Sequence, residues 1–154
     1  MNLAVVRAPA HCTAMDGPPP FRPQGLGEIA IRCRDFNAMK RFYAEVIGLQ
    51  PLEGNLSEEI AFFRIAKGIA GHTTVLALFA SSDPKPLTGA GSSLHHVALS
   101  VPFNDLSLVQ DWYDRIGLSY TLQDFRWIGW RGVFTRDPDG NTVELVAYDA
   151  SLKD

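Results

Sequence analysis

From Glu28 to Cys33 apolar residues fall on alternate positions, Ile29, Ile31 and Cys33 against Glu28, Ala30 and Arg32, which predicts a strand with one buried face. From Asp35 to about Ile47 the rhythm changes. Phe36, Met39, Phe42, Tyr43, Val46 and Ile47 recur at three- and four-residue spacing, predicting a helix with Asp35 as N-cap and Gly48 as its stop. Three strand-like runs follow, over residues 49–53, 60–66 and 73–80, before the loop sequence SSDPKPLTGAGSS interrupts the pattern. One βαβββ unit is complete at that point.

The second half repeats the order. GEIAIRCRDF is echoed by HHVALSVPFND, and RFYAEVIGL by DWYDRIGL, each predicted helix ending in Ile-Gly-Leu. A repeat of about 70 residues identifies a duplicated architecture. Strands are predicted over residues 118–123, 127–136 and 142–148, the last two joined by the turn sequence DPDGN. The expected fold is α+β: two tandem βαβββ modules, about 26–80 and 94–150 with a linker over 81–93, forming one domain over 26–150. Each helix covers the outer face of its mixed sheet, and the two sheets curl around a shared cavity.

Alternation assigns residues to that cavity. Opposite the apolar set of the first strand lie Glu28, Ala30 and Arg32; in the second module Val97, Leu99 and Val101 face the helix and leave His96, Ala98 and Ser100. In the last strand Val143, Leu145 and Ala147 form the apolar set, so Glu144 shares the cavity face with Glu28 and His96. The same alternation sends His95 toward the helix. Phe134, Gly132, Trp130 and Ile128 fall on one face of the preceding strand, with Trp127 on the loop that enters it.

Composition narrows the partners. At 154 residues the chain fits one domain, and a net charge of -3 offers no general attraction to nucleic acid or anionic lipid. No apolar run reaches the roughly 18 to 20 residues of a membrane helix, and the N-terminus lacks a signal-like core, so a cytoplasmic protein is expected. Cys12 and Cys33 match no metal or disulfide spacing and read as free thiols. Residues 1–25 are Pro-rich and read as a flexible tail; Met15 offers an alternative translation start to Met1. His11 and His72 read as solvent-exposed residues.

HHVALSV, FYAEVIGL and above all FTRDPDGNTVEL resemble the vicinal oxygen chelate superfamily, which includes glyoxalase I, bleomycin and fosfomycin resistance proteins and extradiol dioxygenases. The resemblance covers about Leu26 to Tyr148. It implies a metal between paired sheets, held by the first residue of each opening strand and an acid in each closing strand: here Glu28, His96 and Glu144. The fourth position falls within 75–77, where Val75, Leu76 and Ala77 offer no ligand, so a four-ligand glyoxalase I site is not expected. Glu28 also stands where the dioxygenases' first histidine would be. A Glu-His-Glu set suits Mn²⁺, Mg²⁺ or Fe²⁺, with Ni²⁺ and Zn²⁺ also within the resemblance.

Such a metal would act as a Lewis acid on neighbouring oxygens of a small substrate, with Glu144 as the candidate catalytic acid or base. Trp130, Phe134, Trp127 and Arg32 are the candidate substrate contacts; Arg32 would bind an anionic group or simply pair with Glu28. The resemblance implies a lyase, isomerase, transferase or dioxygenase, and a homodimer. The alternative is a metal-free small-molecule binding protein like the bleomycin-resistance branch. Structural readings stand beside these: Glu28 as a solvated strand start, His96 as a hydrogen-bonded polar group, and Trp130 as core packing.

Overall fold

The computed structural model describes residues 19–53, 58–82 and 92–153. The expectations for His11, Cys12, the alternative start at Met15 and most of the linker lie outside these residues. Among the described residues eight strands form two mixed four-stranded sheets, one per module, in the orders β1-β4-β3-β2 and β5-β8-β7-β6. The first contains β1 (Glu28–Cys33), β2 (Gln50–Pro51), β3 (Ile60–Lys67) and β4 (Thr73–Ala80); the second contains β5 (Val97–Ser100), β6 (Thr121–Phe125), β7 (Trp130–Arg136) and β8 (Thr142–Tyr148). In each sheet the module's opening strand pairs parallel with its closing strand.

Helix α1 (Phe36–Arg41) runs directly into a π-helical turn, Phe42–Val46, so the predicted apolar stripe is spread over two helical forms. Asp35 caps it by accepting from the Ala38 amide at 2.9 Å. Helix α2 (Leu106–Ile116) ends at Gly117 with φ 67°, and Gly48 has φ 80°, the left-handed conformation that closes a helix. Two predicted strands are shortened for identifiable reasons. The run at 49–53 reduces to Gln50–Pro51, because proline supplies no amide to prolong a ladder. The run at 127–136 begins only at Trp130: the Ile128 and Gly129 amides donate to the Phe125 carbonyl, and Gly129 has φ 77°. Ile128 is therefore a turn residue and not a strand residue on the cavity face.

The apolar strand faces pack under the helices, as alternation predicts. Ile31 and Cys33 join Met39, Phe42 and Tyr43, and Val97 and Leu99 join Leu106 and Tyr113, in one continuous core. The two modules therefore share their helix sides. Trp112 Nε1 of α2 donates to the Val46 carbonyl at 3.0 Å, crossing from one module to the other. The DPDGN turn adds a polar clasp. Asp139 accepts from the Arg34 and Asp35 amides at 2.6 and 3.2 Å, and Asp137 accepts from the Tyr43 hydroxyl at 3.1 Å. Among the described residues the opposite faces of the two sheets are not closed around a common cavity.

Candidate metal centre

The open face of the second sheet is fixed by strand register. Phe134 lies opposite Glu144, Gly132 opposite Val146 and Trp130 opposite Tyr148. Ala98 lies beside Glu144 on the other flank. Glu144 is thus the central carboxylate of this face, and it is 4% exposed. Its Oε2 stands 3.2 Å from His96 Nε2. Its Oε1 is sealed from solvent and has no hydrogen-bond partner among the described residues.

A buried polar atom left without a partner costs on the order of 1–3 kcal/mol, and native folds carry few of them. Burial pushes the Glu144 carboxyl above its ordinary range, and the neighbouring His96 offsets this only in part. The site also has space shaped for the carboxylate. A methyl group built on Gly132 would overlap Glu144 Oε1, so the absence of a side chain there lets the acid lie down on the sheet. An imidazole nitrogen beside one oxygen of a carboxylate whose other oxygen is unpartnered is a donor set of the type that suits a divalent cation.

His95 stands where alternation does not place it. Its Nδ1 is 2.7 Å from His96 Nδ1 and the two rings meet edge to face, because both residues precede the first paired position of β5, where the pleat does not govern direction. Were His96 to offer its Nε2 to a metal, its proton would sit on Nδ1, where His95 Nδ1 could accept it. On the other side the His96 ring packs against Phe134, with centroids 6.1 Å apart, and Phe134 packs against Phe125 at 6.3 Å.

Glu28 sits apart from this pair. It is exposed at the start of β1, opposite Val75 in the other sheet. Among the described residues no three His, Cys, Asp or Glu side chains converge as a metal site. The register also resolves the missing fourth ligand. Ala30 pairs with Ala77 and Phe62 with Ala77, as Ala98 and Phe134 pair with Glu144, so Ala77 occupies the position of Glu144 in the first module.

Of the substrate candidates, Phe134 adjoins the pair, and Trp130 is on the same face and 42% exposed, ruling out full core packing. Trp127 is 75% exposed on the β6–β7 turn. Arg32 lies on the open face of the first sheet, exposed and without an ion pair to Glu28 among the described residues. His72 is exposed, as expected. Sequence reasoning missed the parts played by His95 and Gly132. A histidine doublet before a strand and a glycine inside one were the available signals.

Comparison with known proteins identifies relatives in sequence and in fold. The chain is 27% identical over 124 residues to the uncharacterized protein YwkD of Bacillus subtilis (strain 168), spanning 79% of this chain and 95% of that one. A glyoxalase/dioxygenase of Nostoc punctiforme shares its fold with a TM-score of 0.64 at 20% identity, covering 96% of this chain and 99% of the other. Lactoylglutathione lyase of Agrobacterium tumefaciens gives 0.58 at 22% identity, covering 81% and 94%. A mutant of the fosfomycin resistance protein FosX of Listeria monocytogenes, complexed with Mn(II) and 1S,2S-dihydroxypropylphosphonic acid, gives 0.62 at 16% identity, covering 85% and 97%. The sequence model of one family matches residues 25–145, and with the duplicated βαβββ fold it establishes that this chain belongs to the Glyoxalase/Bleomycin resistance protein/Dioxygenase superfamily.

Proposed function

We propose that the protein is a metal-dependent enzyme acting on a small oxygenated substrate, with His96 and Glu144 as the metal ligands of one chain and Glu28 of a second copy as the third. The observation that carries this reading is the buried Glu144 carboxylate, whose Oε2 stands 3.2 Å from His96 Nε2 and whose Oε1 has no partner among the described residues. A bound Mn²⁺, Fe²⁺, Mg²⁺, Ni²⁺ or Zn²⁺ supplies Lewis acidity to neighbouring oxygens of the substrate. The mixed imidazole and carboxylate set, rather than thiolate, favours the harder of these ions.

The chain's own residues do the rest. His96 and Glu144 present their donors from adjacent strands, and His95 fixes the orientation of the His96 ring. Glu144, whose burial favours its protonated form, is the proposed group to take a proton next to a polarised carbonyl or return it. Phe134 and Trp130 flank the gap above Gly132 and wall the substrate. Trp127 contributes from the turn. A second copy in a homodimer brings Arg32 with Glu28, since both lie on the open face of the first sheet. The proposed setting is the cytoplasm, with neither nucleic acid nor membrane as partner; no helix among the described residues is long and apolar enough to cross a bilayer.

The experiment is metal analysis of protein purified without chelators, combined with thermal unfolding in added Mn²⁺. Wild type should gain stability with metal, and His96→Ala and Glu28→Ala should each lose the gain. Mixing the two variants should restore it in part, because a mixed dimer carries one intact set. No metal and no stabilisation in wild type would sink the reading. Ala77 at the fourth position and the separation of Glu28 favour the second reading, a metal-free binding protein of the bleomycin-resistance kind. That reading predicts ligand binding indifferent to chelators.

A further inference from the structure

A cavity of about 570 Å³, within the range of small-molecule sites, opens at the end of the second sheet, and Thr121, Phe134, Arg136 and Thr142 are among its lining residues. Strand register ties it to the candidate metal centre. Phe134 lies opposite both Glu144 and Thr121, and Arg136 lies opposite Thr142. Phe134 and Arg136 are two residues apart on one strand face, so their rows are separated by a single pleat repeat, about 7 Å. Phe134 is the shared wall: it lines the cavity and its ring packs against His96.

The charge of this cavity is one-sided. Its lining contains no aspartate or glutamate, and Arg136 is its one formal charge. Other arginines nearby are matched by acids: Arg131 holds Asp124 through two bonds of 2.6 and 2.8 Å, and Arg34 approaches Asp139 at 4.0 Å. Arg136 has no carboxylate partner among the described residues. Its Nη1 donates to the Gly140 carbonyl at 2.9 Å, which anchors the side chain and leaves its other N–H groups for a ligand. An anchored guanidinium with hydroxyls around it recognises a planar or tetrahedral oxyanion through paired hydrogen bonds.

We infer that this cavity is an anion subsite, in which Arg136, aided by Thr121 and Thr142, grips the carboxylate, phosphate or phosphonate of a small organic acid. The inference deepens the proposed function and rests on it: the same substrate's neighbouring oxygens reach the His96–Glu144 centre one pleat away. The substrate class is therefore a compact anion with its oxygenated carbons a few bonds from the acidic group. Long uncharged ligands are disfavoured.

The test uses the full chain and calorimetric titration with phosphonoacetate and with its uncharged triethyl ester, each with and without Mn²⁺. Wild type should bind phosphonoacetate and not the ester, and the affinity should fall as salt rises. Arg136→Ala should weaken phosphonoacetate binding ten- to hundred-fold, Arg136→Lys should restore part of it, and Thr142→Val should weaken it several-fold. Mn²⁺ affinity should be unchanged in the Arg136 variants, whose exposed side chain bears little on folding. Equal phosphonoacetate affinity in wild type and Arg136→Ala, equal affinity for the ester, or no binding at all overturns the subsite. Failure of wild type to bind Mn²⁺ while phosphonoacetate binding still depends on Arg136 removes the metal reading and leaves the subsite standing.

Discussion

Gly132 lies directly beneath the carboxylate of Glu144, so close that a β-carbon at 132 would occupy the space of Glu144 Oε1. The two residues are diagonal neighbours on adjacent strands: Gly132 lies opposite Val146, one pleat repeat from the Phe134–Glu144 pair. Gly132→Ala should therefore displace the acid without removing it. Overpacking of this kind costs about 1–3 kcal/mol. The expected result is a folded variant with lowered melting temperature and no stabilisation by Mn²⁺, measured by thermal unfolding with and without metal. A full metal response in Gly132→Ala would show that Glu144 does not need its observed position.

Glu144→Gln should separate stability from function. In metal-free protein the buried carboxyl has a raised pKa, so the native state holds its proton more tightly than the unfolded chain does. This group's contribution to stability accordingly falls as pH climbs from the ordinary glutamate value of 4.5 through the raised native one, and stays low above it. The glutamine variant lacks that penalty. With a chelator present, Glu144→Gln should melt at or above wild type at neutral pH, by about 1 kcal/mol or 2–4 °C, and the difference should vanish toward pH 4. Added Mn²⁺ should reverse the order, since only wild type binds it.

The paired tyrosines of the two modules should respond in opposite ways. Tyr43 and Tyr113 are both fully buried at matching places in the repeat, yet the Tyr43 hydroxyl donates to Asp137 and the Tyr113 hydroxyl has no partner among the described residues. Tyr43→Phe should lose about 1 kcal/mol, whereas Tyr113→Phe should be neutral or slightly stabilising. Denaturant unfolding of both variants checks this, and equal losses would contradict the observed asymmetry.

Asp139 should matter through the joint between modules. Asp139→Ala removes the acceptor of the Arg34 and Asp35 amides and should cost about 2 kcal/mol, more than an exposed ion pair with Arg34 would contribute. Arg34→Ala should cost well under 1 kcal/mol by the same denaturant measurement.

Cys33 should be inert in the folded protein. Burial, reinforced by the charges of Asp139 and Asp137, pushes its thiol from 9.0 up to about 12, and burial likewise raises the Tyr43 hydroxyl. At pH 8 a thiol reagent should leave the Cys33 peptide unmodified until denaturant is added, as read by peptide mass mapping. Above about pH 9 the unfolded chain ionises both groups while the fold keeps them neutral, so stability should decline with rising pH.

Local pattern determined much of this protein. Period-two and period-3.6 spacing placed β1, β4, β8 and both helices and separated the strand faces that carry Glu28 and Glu144, because side-chain direction within a paired strand follows from backbone periodicity. Where a residue's direction or pairing depends on something outside its own element, local pattern misassigned it, as with His95, or left it open. His95 and His96 precede the first paired position of β5, so only the tertiary structure could bring their rings together. The match of Ala77 to Glu144 required pairing register, which loop lengths left ambiguous. The joining of the modules through their helices, with the opposite sheet faces left unclosed, depends on the total packing of Met39, Tyr43, Leu106 and Tyr113 and on the reach of Asp137 and Asp139, which no repeat discloses. His96 and Glu144 meet through the pairing of β5 with β8, and the packing of the modules through their helix sides leaves Glu28, on the other sheet, apart from them.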